Sequence, residues 1–247
     1  MNRRVLILGI AAFLLALLVV LPARWVGGLL PSSAQCAEWS GTIWRGQCGQ
    51  LTVQVPGQTP VTLESAGWKL HPLTLLRGRL MADVTIVDAR GDATGRIEVT
   101  RDELLILRGV SAHAQLDPQF PGGLPAGWRG RMEMQGLDLD WQANTLRRLQ
   151  GEFSFVDLRD ERGHDIGSFH ASFPEAAAPP FKGQITDMGG PLELRAMLEL
   201  TTERNWSLNG TIAVRGGDDT GFRRYLEALG APDASGRYPL SATGTFK

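Results

Sequence analysis

At 247 residues the chain can bury a core as one large domain or two small ones, and a formal net charge of −1 leaves no general basic field. Nucleic-acid binding, which needs a basic stripe to displace counterions, is therefore disfavoured. A hydrophobic content of 43% argues against both a disordered chain and a polytopic membrane protein.

The first element is the most strongly patterned. Asn2-Arg3-Arg4 precedes Val5 to Leu21 (VLILGIAAFLLALLVVL), an uncharged run whose helix would be about 26 Å long, slightly short of a bilayer's hydrocarbon core. Val26, Leu29 and Leu30 can extend the apolar contact, Arg24 can snorkel, and Trp25 suits the interface. The arginine pair ahead of the run predicts residues 1–4 on the cytoplasmic side, a transmembrane anchor over 5–25 and residues 26–247 outside the cytoplasm. A cleaved signal peptide is the competing reading. Pro22 to Leu30 offers only Gly27 and Gly28 as small residues, followed by leucines, so an uncleaved anchor is favoured.

Next comes CAEWSGTIWRGQC, which contains the only cysteines, Cys36 and Cys48. No CxxC pair or nearby histidine accompanies them, so a zinc site lacks its closely spaced ligands. Outside the cytoplasm such a pair tends to be oxidised, and closing this loop is worth about 3 kcal/mol in the chain-entropy account. A Cys36–Cys48 disulfide is favoured over two free buried thiols.

Beyond Pro31 one design recurs: a glycine opens a run in which apolar and polar residues alternate. Gly78 (GRLMADVTIV), Gly95 (GRIEV), Gly130 (GRMEMQGLDLDW), Gly151 (GEFSFVDL) and Gly210 (GTIAVRG) all follow it. Period-two alternation predicts half-buried strands with one dry and one wet face, hence a curved antiparallel sheet, open or half-barrel-like. In GRMEMQGLDLDW the apolar set switches register at Gly136, which predicts either a strand pair or one bulged strand. His71 to Leu80 (HPLTLLRGRL) reads as a loop or single turn leading into a strand. A short helix is expected from about Thr220 to Leu229, capped by the Asp218-Asp219-Thr220 stretch and closed by Gly230. The Pro/Gly/Ala-rich segments 119–130 and 174–180 read as long connections within one β architecture; a two-domain split near residue 120 is the alternative.

Chemistry is sparse along this chain. His164 and His170, in HDIGSFH, would lie roughly 20 Å apart on an extended strand unless Gly167 turned the chain. Asp138 and Asp140, and the Asp157, Asp160, Glu161, Asp165 cluster interleaved with Arg159 and Arg162, read as solvated strand faces rather than a paired-carboxylate cleft. No GxSxG elbow or phosphate loop is present. The reading is of no catalytic residue, no metal site and no cofactor.

GTIWRGQC (41–48), GWKLHPLTLLRGRL (67–80) and FRRYLEALGAPDASGRYPLSATGTF (222–246) resemble segments of type II secretion system protein N. IGSFHASF, GGPLEL and WSLNGTIAV fall between them in the expected order. The resemblance implies a single-pass component of the bacterial inner membrane, with a cytoplasmic N-terminus and a periplasmic bulk. Such a protein would act as a non-enzymatic accessory to the export of folded proteins, with other secretion components and the inner membrane as partners. It implies neither nucleic acid nor a small-molecule substrate. The 68–80 phrase also resembles envelope proteins of the AsmA type, which implies a second reading. In that reading lipid or acyl chains lie along an apolar β face lined by side chains such as Leu80, Val84, Met132 and Met134.

Overall fold

The computed structural model describes residues 3–54, 60–116, 127–174, 179–202, 205–216 and 222–245. The chain divides into two compact units, Met1–Ala89 and Arg90–Lys247. Most of the 119–130 connection lies outside the described residues.

The first unit begins with helix α1 (Arg3–Val19), followed by a 3-10 turn over Ala23–Leu29. The helix ends short of the expected Trp25 because Pro22, at φ −64° and ψ 146°, enters extended backbone. Among the described residues, no helix is long and apolar enough to cross a membrane. Four strands follow: β1 (Ala34–Gly41), β2 (Arg45–Val53), β3 (Val61–Leu70) and β4 (Arg79–Asp88). Each pairs antiparallel with the next. Between β3 and β4, Pro72–Leu75 forms the single turn α2, the turn expected of HPLTLLRGRL.

The second unit contains β5 (Gly91–Thr100), β6 (Leu105–Leu116), β7 (Arg129–Gln142), β8 (Thr145–Arg159) and β9 (Asp165–Phe173). It continues with β10 (Phe181–Asp187), β11 (Leu192–Leu200), β12 (Asn205–Val214), helix α3 (Arg223–Glu227) and β13 (Tyr238–Thr245). These strands form an antiparallel meander in chain order, so the mainly β expectation holds. The helix α3 falls within the expected span and buries Leu226 to 3% exposure. Its Asp218–Thr220 cap lies outside the described residues.

Registers explain how the dry face survives along strands of 14 and 15 residues. On β7, Met132 and Met134 face Phe155 and Phe153 of β8, and Leu139 faces Leu149. The even-to-odd switch needs one extra residue, supplied by a bulge between Gln135 and Asp138 where Gly136 sits at φ 60°. Thus GRMEMQGLDLDW is one bulged strand. Further register shifts fall at Leu107–Ala112 on β6 and at Phe155–Arg159 on β8, where Asp157 takes φ 54°. Two core clusters sit at opposite ends of these strands. Leu137, Leu146, Leu149, Phe173, Phe181 and Leu200 form one, and Leu116, Leu158, Ile166 and Leu192 the other, with Phe222 packed against the latter.

The rule that a glycine opens each strand holds only in part. Gly78 precedes β4, but Gly95, Gly151 and Gly210 lie inside β5, β8 and β12. At Gly210 a Cβ would stand 2.2 Å from the Arg195 carbonyl oxygen, so glycine there permits close approach of the neighbouring strand.

Candidate functional site

Two features of the first unit come from the CAEWSGTIWRGQC stretch. Cys36 and Cys48 are joined by a disulfide, with Cα atoms 5.8 Å apart. In the ladder Cys36 stands opposite Leu51, three residues from Cys48, which a straight strand would hold about 10 Å away. Gln50, at φ 53°, bends β2 between them and brings the two cysteines together. Trp39 packs edge-on to Trp68 at 6.0 Å between ring centres, on the same face.

The tip of the β1–β2 hairpin is latched to the end of α1. The Trp44 indole N–H donates to the Leu18 carbonyl at 2.8 Å, and the Ile43 N–H donates to the Leu21 carbonyl at 2.9 Å. Both carbonyls lie where an α-helix has run out of its own donors. Pro22 bridges Thr42, and Ala23 is 1% exposed beneath this junction. The helix carries no polar side chain from Val5 to Val19, and Ile7, Ile10, Phe13, Leu17, Leu18 and Val19 are all exposed. A helix apolar all round is a helix made for an apolar surrounding.

In the second unit the dry face runs unbroken from β5 to β13 through Ile97–Leu107, Ala112–Met134, Met134–Phe153, Phe153–Ala171, Ile185–Ala171, Ile185–Ala196, Ala196–Gly210 and Gly210–Leu240. Met132 and Met134 are packed against the two clusters, and both remain partly accessible. In the first unit Leu80 is 44% exposed, on the same strand as Val84.

The wet face of the second unit holds a broad open cleft of about 1070 Å³, bordered by His113, Gln135, Gln150, Glu152, Lys182 and Gln184. Asp138 and Asp140 lie on this face too, each engaged. Asp140 accepts from the Arg108 guanidinium, whose proton it holds more tightly than usual. Asp138 accepts from the Gly109 N–H at 2.8 Å and has Arg148 at 4.0 Å. The two histidines of HDIGSFH are not brought together, since Gly167 bulges within β9 instead of turning the chain. His164 bonds Asp160 at 2.9 Å and His170 bonds Ser154 at 3.1 Å. Burial opposes the charge on Asp160, yet bonds from the His164 ring and backbone and from the Arg162 N–H hold its carboxyl below the usual range. Among the described residues, no group of three or more His, Cys, Asp or Glu could hold a metal ion.

The Trp44 latch left no local signal in the sequence. Its partners lie 26 residues apart, and nothing in IWRG marks an indole aimed at a helix end.

Fold and junction together define an antiparallel β-meander protein carrying an apolar N-terminal helix. The family model for type II secretion system (T2SS) protein N matches residues 33–241, and the chain belongs to that family. No curated protein and no solved structure matches it.

Proposed function

We propose that this chain is an inner-membrane-anchored, periplasmic accessory and scaffold component of the type II secretion system, supporting export of folded proteins across the outer membrane without catalysis of its own. The family match over residues 33–241 carries the reading. The apolar α1, prolonged by Val20, Leu21 and the 3-10 turn bearing Trp25, supports an anchor with its N-terminus in the cytoplasm. Scaffolding draws on strand edges: among the described pairings β1 joins only β2, and β13 only β12, leaving backbone groups for strand addition by other secretion components.

A second reading, of acyl chains lying on the dry face, is favoured by one observation. Met134, Phe153 and Leu198 on that face are only partly buried. Deleting the gene and assaying folded enzymes in the medium separates the two. Secretion should fall, with the cargo retained in the periplasm, and be restored by the intact chain. Unchanged secretion with a leakier outer membrane would sink the secretion reading in favour of the lipid one.

A further inference from the structure

We propose that α2 is a second membrane-contact element: Leu73 and Leu76, with the cations that flank them, seat one end of the first unit on an anionic lipid surface. This rests on the reading of α1 as a membrane anchor, and goes beyond it by giving the folded domain its own lipid contact.

Exposure is the first observation. Leu76 is 84% exposed and Leu73 77%, the highest values among the described large hydrophobic side chains. The turn that displays them is firmly held. Thr74 Oγ1 donates to the His71 carbonyl at 2.7 Å, the His71 N–H donates to the Met81 carbonyl at 2.9 Å, and the His71 ring meets Asp83 at 2.7 Å. Two leucines fixed outward on a braced turn call for an apolar surrounding, which water does not supply.

Position is the second. The Leu70 N–H, where β3 ends and the turn begins, donates to the Trp44 carbonyl at 2.7 Å. The same Trp44 donates its indole N–H to Leu18 in the last turn of α1. One residue therefore joins the end of the helix to the base of α2. On the anchor reading, a helix about 26 Å long, prolonged by Val20 and Leu21 toward Trp25 at the interface, brings its last turn close to the boundary of about 30 Å of hydrocarbon. Whatever is hydrogen-bonded to that turn is drawn to headgroup depth.

Charge is the third. Arg45 and Lys69, paired across β2 and β3 at the end where the turn begins, and Arg77, just after α2, are all exposed, and Asp83 is engaged by His71. Exposed leucines flanked along the chain and ladder by cations match an interfacial segment on anionic headgroups.

The test uses the full chain in phosphatidylcholine vesicles containing phosphatidylglycerol, with a polarity-sensitive fluorophore on one introduced cysteine at a time. Leu73→Cys and Leu76→Cys report the turn, Phe13→Cys reports the helix, and Thr62→Cys, exposed on β3, reports the opposite end of the sheet. Lipids brominated near the headgroup should quench labels at 73 and 76, more strongly with phosphatidylglycerol than without, and spare the label at 62. Quenching at 13 without quenching at 73 or 76 would overturn the contact while leaving the anchor standing, and would assign the leucines to a protein partner. Silence at 13, 73 and 76 would overturn both readings.

Discussion

At the scale of single residues, the disulfide and the indole latch act on the same hairpin from its two ends. Cys36–Cys48 ties the strands where Gln50 bends β2, and Trp44 fixes the tip against α1. A crosslink enclosing so short a loop acts mainly on the unfolded chain, by removing conformations it would otherwise sample. Replacing both cysteines by serine should lower the urea-unfolding free energy by about 3 kcal/mol, with the strand pattern retained. The untreated protein should resist alkylation until reductant is added. An equal free energy for the variant, or ready alkylation of the native chain, would show that the crosslink does not stabilise the protein in solution.

At the scale of elements, charges bind strand ends that the dry face does not reach. Arg215, just past β12, bonds Asp187 at the end of β10 at 2.6 Å and Glu193 of β11 at 3.4 Å. Arg237, just before β13, adds a 3.3 Å bond to the same Glu193. Burial raises the cost of charging Asp187, but the Arg215 guanidinium and the N–H groups of Gly189 and Leu194 outweigh it, and its carboxyl ionises below the usual range. A depressed folded-state pKa means that, in acid, the unfolded chain binds the proton first. The resulting stability is complete above the ordinary aspartate value of about 3.9 and is lost as pH falls through the lower folded value. Urea titrations between about pH 5 and 2 should therefore show stability falling, and Asp187→Asn should flatten that slope. An unchanged slope would mean that Asp187 is not a carboxylate that loses its charge there.

Such a network was not legible in the sequence, because Asp187, Glu193, Arg215 and Arg237 become neighbours only once β10 to β13 are laid in order. The strands were legible wherever their chemistry is local. GRLMADVTIV alternates and is β4, and the phase change at Gly136 reads directly as the bulge of β7. Glycines proved ambiguous for a physical reason: a strand entry, a bulge and a close approach between strands all ask for a missing Cβ. Only the neighbour, such as the Arg195 carbonyl beside Gly210, tells them apart. The Cys36–Cys48 pairing was readable from composition and compartment, but the bend at Gln50 that makes it geometrically accessible was not.

At the scale of the whole molecule, the question is what α1 contributes beyond apolar length. Its latch to the hairpin uses the backbone carbonyls of Leu18 and Leu21, which any helix ending at that point would present. Neither of these bonds reads a side chain of α1, so if the helix is the tether proposed above, its sequence should be replaceable. Replacing residues 5–17 with an unrelated apolar helix of equal length should keep the chain in the membrane fraction and preserve secretion of folded enzymes. A cleavable signal peptide in place of residues 1–21, which releases the domain into the periplasm, should lose that support even when the domain accumulates to the same level. On the proposed reading, holding the domain at the bilayer raises its effective concentration near inner-membrane secretion components, and a released domain forgoes that gain. Full secretion with the released domain would show that tethering is dispensable. Loss of secretion with the swapped helix, still in the membrane fraction, would show instead that α1 contacts a partner within the bilayer through its own side chains.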